Sequence, residues 1–321
     1  MVRQGIYKRF PKVSTYEKNL SMGFWKQEDV ERNLVRYVSE GPFRSHAHLP
    51  PSDPLWDAVY SARAANEDLA RLAGFKTIEA MRLGLRGDDA WLGVWRQAAG
   101  YDYGAARAEF AVHEAVLCQY GTTEGRHTLF LQRIGRTIGI CLSLGWTELA
   151  VDIAQRTNTA LSNRRQFNDA GDRYGRRRTQ HFVLRLVDDW KEWPVVQQAE
   201  NCASAFDEPL FNALIANWRS SDPELLEFLL LAACDRHTHQ SRVDSHSRWE
   251  FYDFSRHADW YCPYEILSVL RLRAILELPN PTLDHCLMAT AWGVLPAVTS
   301  AYTDPLLDGV LERMRQELGR F

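Results

Sequence analysis

Histidines and carboxylates gather most densely between Asp235 and Asp259, where His237, His239, Asp244, His246, Asp253 and His257 follow one another closely. Imidazole with carboxylate is a donor set that suits zinc or non-haem iron, and a metal-dependent hydrolase would use such an ion to activate water. The ligands open to it are His237, His239, Asp244, His246 and His257. Their spacing contains no His-Glu-x-x-His pair, and no helix here obviously places two of them four residues apart. The expectation is therefore a polar surface stretch with solvated histidines and no bound metal.

Asp188 and Asp189, with Trp190 and Trp193 beside them, offer a second chemistry: two carboxylates flanking a stacked sugar. Neighbouring side chains on one helix point in different directions, which favours a solvated helix face over a paired site. A Gly-x-Ser-x-Gly elbow is missing, and none of Cys118, Cys141, Cys202, Cys234, Cys262 or Cys286 has a context that argues for an activated thiol. Their wide spacing reads as reduced cysteines in a cytoplasmic protein. Gly135 and Gly139 form a small-residue pair at helical spacing, suited to close helix packing and not to phosphate binding.

Charge says more than any motif. The chain of 321 residues has a formal net charge of −3, which argues against a protein built to neutralise a nucleic acid backbone. Locally the balance is uneven. From Arg185 to Asp235, ten acids face only Arg185, Lys191 and Arg219, while Arg164, Arg165, Arg173, Arg176, Arg177 and Arg178 crowd the preceding stretch. An acidic helical face beside a basic loop suits rapid, selective docking of a charged protein partner.

The elements that must position these residues are helices. Period-two runs of β-branched residues are nearly absent, and the pattern predicts an all-α protein, a multi-helix antiparallel hairpin bundle with an irregular N-terminal arm. The arm spans residues 1–50, with weak periodicity except near Glu28 to Ser39. A helical subdomain follows over 51–162, then an Arg-rich loop over 163–180 and a second helical subdomain over 181–321, the whole forming one compact unit. Ser52-Asp53-Pro54 and Ser221-Asp222-Pro223 are helix starts, each a capping side chain ahead of a proline. Gly100 and Gly121 sit where stops are expected, and Gly145-Trp146 makes a tight turn between helices over Thr128–Leu144 and Thr147–Ser162. Further helices are expected over Thr179–Trp190, Pro194–Ala205, Glu208–Trp218, Pro223–Ala233, Pro263–Leu278 and Pro305–Leu318. No apolar run is long enough to span a bilayer, and no signal peptide opens the chain.

Within residues 180–295, Trp190 and Trp193 precede a helix pair over Leu210 to Ala233. Then Trp260-Tyr261-Cys262-Pro263-Tyr264-Glu265 opens an apolar helix over Leu267 to Leu276, and Asp284-His285 makes a polar turn. This layout, about a third of the chain, resembles the all-helical PoNi-type immunity proteins, which protect bacteria from polymorphic DNase toxins. The resemblance implies a non-enzymatic cytoplasmic protein, with no cofactor, that binds a cognate toxin domain and occludes its active site. The toxin would be a nuclease effector of a contact-dependent or type VI secretion system, with no direct nucleic acid or membrane contact by the inhibitor. On this basis the acidic surface supplies the contacts: Asp188, Asp189, Glu192, Asp207, Glu208, Asp222, Glu224 and Glu227, with Trp193 and Trp218 as anchors.

Overall fold

A computed structural model describes residues 26–40, 54–121, 127, 129–162, 177–194 and 208–319. The fold is all-α. The helices are α1 (Gln27–Glu40), α2 (Pro54–Leu85), α3 (Trp91–Tyr120), α4 (Leu131–Leu144), α5 (Thr147–Leu161), α6 (Arg178–Lys191), α7 (Pro209–Asn217), α8 (Pro223–Gln240), α9 (Tyr264–Ile275) and α10 (Pro305–Leu318). Among the described residues no strand forms, and a β-bridge joins Ser245 to Glu250. No described helix is long and apolar enough to cross a membrane. The Arg-rich stretch 163–176, the expected helix over Pro194–Ala205 and most of the N-terminal arm lie outside the described residues.

Several helix ends follow from local chemistry. Gly121 and Gly145 take left-handed conformations (φ +67° and +80°) that close α3 and α4. The Asp222 carboxylate accepts from the backbone N–H groups of Glu224 and Leu225 at the start of α8, and Asp304 accepts from Leu307 N–H at the start of α10. Gly100 departs from expectation. It lies inside α3, which runs unbroken from Trp91 to Tyr120, because a Cβ there would come within 2.7 Å of the Tyr302 ring. The glycine permits a close approach and ends nothing. α2 and α3 are each about thirty residues long, 32 and 30.

Two cores share α3. Trp95, Ala98, Ala99, Ala106 and Phe110 face a large core that also takes in α4, α5, α6, α7, α8 and α9. Tyr101, Ala105, Ala108, Ala111, Val112, Ala115 and Val116 face a smaller core made with α1, the first part of α2, and α10. Alanine at so many of these positions lets neighbouring helices pack on both sides of one rod.

The seam between α3 and α4 is charged. Arg136 of α4 is buried and pairs with Asp102 of α3 and with Asp259 (2.5 Å to the latter), while Arg133 pairs with buried Glu109 at 3.0 Å. Gly135 and Gly139 of α4 let other helices in, as their spacing suggests: a Cβ at either would lie about 2.5 Å from Gln180 or 2.4 Å from Tyr264. Through these contacts α4 becomes the post against which α6 and α9 are set.

Candidate partner-binding surface

The elements carrying the acidic segment rest on a rigid base. Phe182 of α6 stacks on Phe211 of α7 with ring centres 4.4 Å apart, and Arg236 of α8 lies over the Phe211 ring at 4.5 Å. Arg236 also pairs with Glu208 (3.2 Å) and with Asp253 (2.7 Å), whose carboxylate accepts from the Thr179 hydroxyl at the start of α6. Arg273 of α9 is fully buried and donates to the carbonyl oxygens of Trp218 (2.6 Å) and Ser220 (2.8 Å), fixing the turn from α7 into α8. Because these bonds are charge-assisted and shielded from water, they hold the turn firmly.

On that base the predicted acids separate into two groups. Asp188 is buried and accepts from Asn158 at 2.6 Å, and burial pushes its carboxyl up to about 6. Asp189 accepts from the Trp218 indole N–H (2.7 Å) and pairs with Arg219. Glu208 is held between Arg178 and Arg236. These three are structural, and Asp188 is corrected as a contact residue because no partner could reach it. The two neighbouring carboxylates do turn to different partners, as adjacent positions on a helix require. Asp207 lies outside the described residues.

The second group is free. Glu192, Glu224 and Glu227 form no side-chain hydrogen bond or ion pair among the described residues, and Glu192 and Glu224 are exposed. Asp222 is exposed too, though one of its oxygens serves as the cap of α8.

The tryptophan anchors are not where the sequence put them. Trp218 has no exposed surface, since its ring belongs to the large core, and Trp193 is half-buried against the same core. The exposed aromatic beside the acids is Phe228, 70% exposed on α8, with Leu225 at 39% three residues earlier. Leu226, Leu229, Leu230, Ala233, Cys234 and His237 cover the inner face of α8, and Glu224, Leu225, Phe228, Asp235 and His239 stand on the outer one. A signal for this was present: the apolar run of α8 is too wide for one helix face, so some of it must point outward.

The histidine-rich segment is also placed differently. His237 and His239 lie in the last turn of α8, not in a loop, and His237 is buried. Its Nε2–H donates to the Trp260 carbonyl (3.1 Å), while Nδ1 meets Glu265 at 2.8 Å under the Phe254 ring. Asp244 accepts from Arg177 and from the Tyr252 N–H. His257 lies against the Trp260 ring at 4.5 Å, and burial lowers its proton affinity, whereas His239 is exposed. The side chain of His246 lies outside the described residues. Among the described residues no three His, Cys, Asp or Glu side chains converge as a metal-binding group.

A cleft of about 350 Å³ between α3 and α5 has its charges matched internally: Arg156 bridges Glu114 and Asp152 at 3.1 Å each. By contrast, the outer face of α8 is acidic and apolar at once, with Glu224 and Glu227 lacking ion-pair partners among the described residues near an exposed ring, while Asp235 meets His285 at 3.5 Å. Chemically, such a face can attract a basic surface and insert an aromatic side chain into it. The fold is all-α, and α8 carries an acid-rimmed apolar stripe on its outer face. No family model, no curated protein and no solved structure matches the chain.

Proposed function

We propose that this chain is an immunity-type inhibitor that binds a basic toxin domain, a nuclease being the best fit, and occludes its active site. It acts by binding and carries out no reaction of its own. The observation that carries this is the pair Glu224 and Glu227, which have no charge partner among the described residues, on a capped helix anchored from below by Arg273. A nuclease groove is basic because it must hold phosphates, and carboxylates on a rigid face can occupy the same groove. The net charge of −7 between Arg185 and Asp235 and the helical layout described for residues 180–295 support the same reading.

The test is affinity capture with the tagged chain in its native host, with co-purifying proteins identified by mass spectrometry. A stoichiometric partner carrying a toxin domain, whose activity falls when the chain is added, is the expected result. Recovery of the chain alone would remove the reading.

A further inference from the structure

Resting on that reading, we infer that Phe228 is the anchor of the interface and that its occupant is an apolar pocket on the basic partner. Four features of α8 lead there. Phe228 is the most exposed large hydrophobic side chain among the described residues, at 70%, and it stands on a helix fixed at both ends, not on a loose loop. Leu225 lies one turn before it on the same outward face, so the apolar surface is a stripe. Asp222, Glu224 and Glu227 surround the stripe within two turns of helix, and no lysine or arginine occurs between Asp222 and Asp235. The buried half of the same helix already fills the core with Leu226, Leu229 and Leu230, so the outer residues are surplus to folding.

The charge of the rim selects the occupant. A second copy of the chain would bring two acidic rims together around the stripe, and like charges across an interface oppose docking. A basic surface with an apolar recess meets both the ring and the carboxylates. In such a contact the acids speed the encounter and the ring slows release, because desolvated aromatic anchors carry most of the affinity of an interface.

The direct probe is the full-length chain with Phe228→p-benzoylphenylalanine, photolysed in the native host, with Glu312→p-benzoylphenylalanine on α10 as control. The expected product is one dominant adduct, absent from the control, with a basic protein. Using that protein in purified form, Phe228→Ala should weaken binding roughly 30-fold or more with the salt dependence unchanged. Glu224→Lys with Glu227→Lys should slow association and flatten the salt dependence.

An adduct with an acidic protein, with a second copy or within the chain would overturn the inference, as would no adduct above control. A large fall in the melting temperature of Phe228→Ala would also overturn it, by showing the ring to be covered. If affinity capture yields a toxin but position 228 does not cross-link to it, the location of the interface fails and the inhibitor reading stands. If position 228 captures a basic protein with no toxic activity, the surface stands and the inhibitor reading fails.

Discussion

Arg136 shows how much a single side chain is asked to do inside this protein. It is buried with Asp102 and Asp259, and the two carboxylates tolerate the core only because Arg136 lies between them and the Arg256 charge is close by. Arg136→Met strands two carboxylates, so urea denaturation should report a loss of about 3–5 kcal/mol, most of it recovered when both aspartates are also made apolar. Buried histidines give a second prediction. Burial pushes His181 down to about 4, with Arg185 adding to the effect and Asp253 opposing it, and burial together with Arg63 and His113 pushes His127 down to about 3. In the unfolded chain both take up protons near pH 6.5, about the ordinary value, so below it the unfolded state holds more protons and stability falls as the pH drops toward 4. Asp188, raised to about 6, acts in the opposite sense below that pH, since the folded state then holds the extra proton. Asp68 and Glu109, also raised by burial, act with Asp188, and His257, also lowered by burial, acts with the other two histidines; the histidines begin to respond at the higher pH and set the sign from pH 7 downward. The denaturation midpoint should therefore decline from pH 7 to pH 5 and decline less in His181→Gln; a midpoint that rises with acid would contradict the assignment. At this scale the sequence was only partly legible. It displays Asp188, Asp189, Glu208, Glu224 and Glu227 as equivalent acids, and what separates them is the distant Asn158, Trp218, Arg178 and Arg236 that the fold brings to the first three.

Helices were far more legible than their ends. Periodicity locates α5, α8 and α10 because that signal acts over a few neighbouring residues, and Asp222 does cap α8 as its position suggests. Gly100 misleads because the rule for glycine as a helix stop is local, while its reason here is Tyr302, two hundred residues further along the chain. Trp218 and Phe228 mislead in the same way: which face of a helix turns outward is decided by what packs against it. Two glycines of ordinary helical backbone give a test of opposite signs. Gly139→Ala drives a methyl to within 2.4 Å of the Tyr264 ring and should cost about 1–3 kcal/mol, whereas Gly93→Ala, on an exposed part of α3 with nothing nearby, should stabilise by up to about 1 kcal/mol. Thermal melts of the two variants against the parent decide it, and equal shifts would mean that packing at α4 is looser than the contact implies.

For the molecule as a whole, the shared wall between the two cores predicts how it comes apart. The fully buried tryptophans Trp95, Trp218 and Trp292 all lie in the large core, so a large share of the fluorescence change reports on that core, while far-UV circular dichroism follows the helices of both. Since α3 cannot leave one core without leaving the other, the two signals should trace one urea transition with a common midpoint. Separated midpoints would mean that the smaller core melts by itself. The same wall bears on the history of the chain. Along α3, positions such as Ala98, Ala105, Ala106, Ala108 and Ala111 have less than 2% of their surface open. Almost any replacement larger than a methyl would force α3 away from one core or the other, so descent should leave α3 close to frozen. The outer side of α8 has no such constraint. If it answers to a partner, its residues should change in step with that partner and quickly, so that in diverging lineages the oldest letters lie on α3 and the newest around Phe228.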